Sequence, residues 1–116
     1  MTIGRVLALA APLLLIACGG GETEPPKGCT DPVAATTVEL ADFAFRPNCL
    51  SADAGATIAL DNTGDAIHTF TLTGADVDVS VDAGSSGEAS LPGVEPGTYT
   101  VTCTYHPQME ATLKVG

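Results

Sequence analysis

The sequence predicts an all-β sandwich or barrel between Thr30 and Gly116, and three observations predict it. Apolar and polar residues alternate in short runs, the period of two that puts every second side chain on one face of a strand. Turn-forming clusters recur every eight to twelve residues: Asn62-Thr63-Gly64-Asp65, Thr73-Gly74, Ala83-Gly84-Ser85-Ser86-Gly87, Pro92-Gly93 and Pro96-Gly97. Many short strands at such spacing read as a sandwich or barrel. Beyond Gly28, no window holds a helical period for more than two turns.

The expected strands follow in order. Thr37–Leu40 and Ala44–Phe45 come first. In Ala56–Asp61, Ile58 and Leu60 share a face. His68–Thr73, Val77–Val81 and Glu88–Leu91 are bounded by the turn clusters. In Gly97–Thr102 and the adjoining Cys103, Tyr99, Val101 and Cys103 take one face and three threonines the other. Threonine also favours strands. Ala111–Val115 closes the set.

Length and charge narrow the function. A chain of 116 residues suits one domain. Only 4 residues are Lys or Arg against 14 Asp or Glu, a net charge of -10. So few basic groups offer no phosphate-neutralising surface, which excludes nucleic acid as a partner. With 45% hydrophobic residues the chain is not an acidic disordered segment. A domain this small buries only about 60% of its unfolded surface, so a disulfide or a metal would help it.

Residues 1–17 read as an address. Arg5 precedes an uncharged run of twelve, Val6 to Ala17, too short to span a bilayer but suited to a signal peptide. The run ends in Leu15-Ile16-Ala17-Cys18 before three glycines. This resembles a bacterial lipobox, which implies lipidation of Cys18 and residence in the cell envelope. Ordinary secretion, with cleavage near Ala17 and Cys18 unmodified, is the alternative. Residues 18–28 then hold the lipidated cysteine and a Gly- and Pro-rich tether, and 29–116 the folded domain. Loss of residues 1–17 removes only Arg5, which takes the net charge to -11. The membrane would be held through the lipid on Cys18, because an acidic surface is repelled by anionic headgroups.

The chemistry lies in few residues. With Cys18 assigned to lipid, Cys29, Cys49 and Cys103 remain, an odd number for an oxidising compartment. Cys103 opens Cys103-Thr104-Tyr105-His106-Pro107-Gln108-Met109, which puts a thiolate, an imidazole and a thioether within seven residues. The only other histidine, His68, opens its own strand. Two imidazoles and a thiolate in a plane with a weak axial thioether describe an electron-transfer copper site. Singly, each residue has a plainer use: a half-buried strand histidine, a buried small cysteine, a methionine filling the core. The joint pattern is what points to metal.

From about Thr36 to Val115 the chain resembles the cupredoxins, the small blue copper proteins. The segments that carry the resemblance are Val38 to Pro47, Gly55 to Phe70, and Gly97 to Cys103 with His106 and Met109. The close Cys-x-x-His-x-x-Met spacing is most similar to the amicyanin-like branch. The resemblance implies a cupredoxin-like Greek-key β-sandwich of about seven to eight strands. It implies one type 1 copper held by His68, Cys103, His106 and Met109, and an electron carrier with no substrate turnover. Backbone N–H groups donate to the cysteine sulfur in this family, and Asn62 to Thr69 is the natural source of one. Asn62 would tie the two ligand loops together. His106 would be the exposed electron portal, with Pro107, Gln108, Pro92 and Val94 in its apolar rim. Tyr105 is either part of that rim or a plain loop aromatic. Once Cys103 is a ligand, Cys29 and Cys49 fit as a disulfide that pins the acidic segment before the first strand to the exit of the second. A Cys49–Cys103 bridge of the immunoglobulin kind is the alternative, although the chain has no tryptophan to pack against it.

Three functions follow from this reading. The first is a monomeric envelope electron carrier that meets a redox protein near His106. Asp65, Asp76, Asp78, Asp82, Glu88 and Glu95 would steer a basic partner, or simply sit on solvated turns and edges. The second is a copper-holding or copper-delivery lipoprotein on the same fold. The third is a non-metal structural module. Convergence of both imidazoles on Cys103 separates the third from the other two.

Overall fold

The computed structural model describes residues 29–116. The signal peptide over 1–17, lipidation at Cys18 and the tether to 28 lie outside the described residues. Ten strands form: β1 Val33–Ala34, β2 Thr37–Ala41, β3 Ala44–Arg46, β4 Cys49–Ala52, β5 Thr57–Asn62, β6 His68–Leu72, β7 Asp78–Val81, β8 Ser86–Ser90, β9 Gly97–Cys103 and β10 His106–Val115. They make two sheets, one of six strands in the order β1-β4-β10-β9-β6-β7 and one of four in the order β3-β2-β5-β8. The all-β sandwich is as expected, with two strands more than the eight read from the sequence.

The alternating patterns become the two inner faces. Along β5, Ile58, Leu60 and Asn62 are buried while Thr57, Ala59 and Asp61 are exposed. Val38, Leu40 and Phe45 join them from the smaller sheet, and Leu50, Phe70, Leu72, Val101 and Leu113 face them from the larger one. Phe45 and Phe70 meet edge to face across the sandwich, ring centroids 6.0 Å apart. Such pairs add to the free energy of burial itself.

The two unanticipated strands have little pattern to read. In β1 both residues are exposed, and in β4 only Leu50 is buried. They form because β10 offers an edge: β4 pairs with it in parallel from Cys49↔Thr112 to Ala52↔Val115, and β1 adds to β4. The start of β10 was also expected at Ala111, five residues later than observed.

Cys29 and Cys49 are bonded, which leaves Cys103 free and buried among the described residues. Cys49 is the first residue of β4 rather than the exit of the second strand. The bond therefore ties the start of the domain to the strand beside β10. Closure of a loop between positions 20 residues apart stabilises by about 3 kcal/mol against the unfolded chain. Changing both cysteines to serine is expected to lower the unfolding free energy by about that amount, measured by urea denaturation, while the sheets persist.

Strand direction decides which loops share an end. β5 finishes at Asn62, β9 finishes at Cys103, and β6 and β10 begin at His68 and His106. The Thr63 amide donates to the Leu40 carbonyl at 3.1 Å, which brings the β2–β3 turn to the same end. Three connections that carry polar side chains, β2–β3, β5–β6 and β9–β10, are thereby gathered at one end of a hydrophobic sandwich.

Candidate metal centre

Strand pairing places the ligand candidates. His68 is the first residue of β6 and is fully buried, with Val81 of β7 as its register partner. Cys103 ends β9 on the inner face set by Val101, and is 1% exposed. A two-residue turn, Thr104-Tyr105, leads to His106, which pairs back with Cys103. The ladder then shifts, so that Glu110 faces Thr102. Pro107, Gln108 and Met109 are the surplus residues of this bulge. A bulge bends its strand and re-aims side chains. Here Pro107 and Gln108 point to solvent, and Met109 is fully buried in the same core cluster as Cys103.

The polar ligand atoms converge. Cys103 Sγ lies 3.4 Å from His106 Nδ1 and 3.8 Å from His68 Nδ1. One ligand atom from each of the three residues falls within 4.8 Å of the others. Metal bonds of about 2.0 Å to nitrogen and about 2.3 Å to sulfur, opened to a trigonal angle, set nitrogen and sulfur about 3.7 Å apart. Both nitrogen–sulfur separations thus stand near those a shared ion requires. A soft thiolate, two imidazoles and a buried thioether are the donor set of a type 1 copper site.

Two hydrogen bonds prepare the sulfur and its loop. The Thr69 amide donates to Cys103 Sγ at 3.3 Å, the backbone donor expected from the Asn62 to Thr69 segment. This amide fixes the position of the sulfur beside the His68 strand. The Thr104 amide donates to Thr69 Oγ1 at 2.8 Å. Thr69 therefore joins the His68 strand to the Cys103 turn at two points. Asn62 bonds elsewhere. Its amide donates to the Ala66 and Val81 carbonyls, each at 2.9 Å, and its Oδ1 accepts from the Gly64 amide. It braces the His68 loop against β7, and the link between ligand loops runs through Thr69 instead.

The outer side of His68 holds a residue the sequence reading passed over. His68 Nε2 lies 3.1 Å from Asp42 Oδ1, in the β2–β3 turn. Asp42 also accepts the Asp65 amide at 3.0 Å on each oxygen and the Ala66 amide at 3.4 Å. Chiefly the Asp65 amide, and then the His68 ring, hold its carboxyl below the usual carboxylate range, although partial burial opposes them. The next residue, Phe43, packs its ring 4.9 Å from that of His106. The one signal in the sequence is a bulky aromatic in the three-residue gap between the expected strands Thr37–Leu40 and Ala44–Phe45, where a turn favours Gly or Asn.

The surface around the site differs in part from the expected rim. His106 is half-buried, and Tyr105 beside it is 56% exposed. Pro92 and Val94 are at the other end of the sandwich. They follow β8, whose last residue, Ser90, pairs with Thr57 at the start of β5. Val94 is also buried in the core. Phe43, Ile67 and Tyr105 are three of the four exposed large apolar residues of the described chain, and all three flank or touch a ligand.

Solved structures share the fold of this chain. A purple cupredoxin from Nitrosopumilus maritimus superposes with a TM-score of 0.60 at 16% identity, over 70% of this chain and 99% of that one. A reduced amicyanin variant gives 0.58 at 20% identity, over 82% and 94%. A copper-containing nitrite reductase from Thermus scotoductus SA-01 gives 0.59 at 19% identity over 74% of this chain, which spans 23% of that larger protein. Similar domains thus occur both alone and within an enzyme. No curated protein matches the chain in sequence. The family model described as a cupredoxin-like domain matches residues 7–115, and with its two-sheet sandwich and His-Cys-His-Met site this chain belongs to the cupredoxins.

Proposed function

We propose that this protein is a one-electron carrier held at a bacterial cell envelope by a lipid on Cys18. The observation that carries the redox reading is the convergence of His68, Cys103 and His106 on one buried point, with only His106 reaching toward solvent. Copper, when bound, supplies a Cu(II)/Cu(I) couple. The chain's own residues do the rest. His68 and His106 present Nδ1 from two different strands of the same sheet, which fixes the spacing of their backbones. Cys103 would hold the ion as a thiolate, with the Thr69 amide in place to donate to its sulfur. Met109, buried in the same core cluster as Cys103, would supply the thioether. Strands on both sides resist any change of geometry between oxidation states, which keeps electron transfer fast. The same convergence speaks against a purely structural module.

His106 is the natural exit for the electron. Phe43, Tyr105 and Ile67 give this end an apolar contact surface for a redox protein. Among the acidic residues named above, Asp65 and Asp82 lie near it, since Asp82 follows the His68 partner Val81. A basic rim on the partner would complement them. We read the chain as a monomeric carrier rather than an enzyme, because a half-buried imidazole edge passes an electron without admitting a substrate to the metal.

The tether is tested in a bacterial host. The full-length protein is expected in the membrane fraction, with a mass increase from acyl chains, and Cys18→Ala in the soluble fraction or retained as precursor. Membrane association of a Cys18→Ala chain that has been cleaved to mature length would remove the lipid from this account.

A further inference from the structure

The ligands all stand on the six-stranded sheet. A single turn of the other sheet touches both histidines. It is the two-residue connection Asp42–Phe43 between β2 and β3.

Each residue of the turn is placed at a cost that its own fold does not require. Phe43 has a φ of 67°, the left-handed region that a bulky side chain rarely adopts. Burial does not explain it, because the side chain remains 55% exposed. What the conformation achieves is contact: the ring stands at 72° to His106 with centroids 4.9 Å apart, and at 90° to His68 with centroids 6.4 Å apart. Strain kept at such a position points to a use at the site. Asp42 is held with equal care. Two backbone amides fix its carboxylate, and a Cβ on Gly64 would collide with that carboxylate. The loop comes this close only because residue 64 is glycine.

We infer that the Asp42–Phe43 turn is a clamp that positions both imidazoles: Asp42 accepts a hydrogen bond from the Nε2–H of His68, leaving Nδ1 bare toward Cys103, and Phe43 holds and covers the ring of His106. The geometry stands without metal; its consequence rests on the copper reading of the site. A neutral imidazole has two tautomers, and only the one protonated at Nε2 offers a lone pair at Nδ1. The carboxylate selects that tautomer and fixes the orientation of the ring. Its negative charge favours the more positive oxidation state, so it holds the potential down. Phe43 limits both rotation of His106 and access of water and chelators from its side.

The test uses the full-length protein, first free of metal and labelled with ¹⁵N on its histidines. The imidazole shifts of His68 are expected to report protonation at Nε2 in the wild type and a mixture of tautomers in Asp42→Ala. Gly64→Ala keeps both clamp residues but displaces the carboxylate, and is expected to give the same mixture. Asp42→Asn keeps an acceptor oxygen, so it should restore the tautomer while raising the potential of the copper-loaded protein. Loss of the carboxylate in Asp42→Ala should weaken copper binding about 10- to 100-fold. Phe43→Asn suits the left-handed backbone, so the metal-free variant should melt no lower than wild type. Its copper should nevertheless pass to a chelator about ten times faster. A His68 tautomer unchanged in Asp42→Ala overturns the first half. A Phe43→Asn protein that keeps copper as wild type does, or is less stable without it, overturns the second. A wild type protonated at Nε2 that takes up no copper, with the tautomer mixture still found in Asp42→Ala, would leave the Asp42 half standing and overturn the Phe43 half together with the copper reading.

Discussion

Cys103→Ser is expected to abolish the intense visible absorption that the wild-type protein gains with Cu(II), and to weaken copper binding by more than about 100-fold. The sulfur is 1% exposed and stands between both Nδ1 atoms. It is the only free thiol among the described residues. A serine hydroxyl is harder, shorter and far less acidic, so it neither bonds covalently to a soft ion nor deprotonates near neutral pH. The fold should tolerate the change. The hydroxyl can still accept from the Thr69 amide, and the net worth of such a bond is about 1 kcal/mol. Denaturation curves of the metal-free variant should therefore lie close to wild type while its colour is lost. Strong visible absorption in Cys103→Ser would place the chromophore elsewhere.

Phe70→Ala is expected to cost about 3–5 kcal/mol of stability. Phe70 is fully buried on β6, its register partner on β7 is Val79, and its ring packs on Phe45 of the facing sheet. Its loss removes apolar contact and leaves a cavity at the centre of the sandwich. Whole domains are stable by only about 5–15 kcal/mol, so the change takes a large share. His68 stands two residues earlier on the same strand and shares its inward face. Copper should therefore rescue the variant in part, since a ligand that binds only the folded chain shifts the midpoint upward. Urea denaturation with and without copper measures both effects. A loss below about 1 kcal/mol would mean that the sheets are not joined through this pair.

Much of the site is legible in the sequence because its chemistry uses scarce residue types. Two histidines, one cysteine without a partner and a methionine at close spacing leave few arrangements, and a strand that ends at Cys103 delivers it to the tip of the sheet. Strands with clean alternation, β5 and β9, are legible for the same kind of reason: one face is buried. β1 and β4 lack that signal, since they are held by backbone pairing to β10 more than by their own side chains. Contacts between sheets were not legible at all. Asp42 and His68 are 26 residues apart, and nothing local to either announces the pair. Pro92 and Val94 were assigned to the wrong end because loop position depends on strand direction, which pairing alone decides.

The claim that this fold holds copper for reversible one-electron transfer is tested most directly by voltammetry of the copper-loaded protein with its visible spectrum followed in parallel. The account predicts one reversible wave of one electron per chain, with colour that bleaches on reduction and returns in full over repeated cycles. Loss of copper on reduction, or a wave that does not return, would contradict it and would favour a protein that hands copper on.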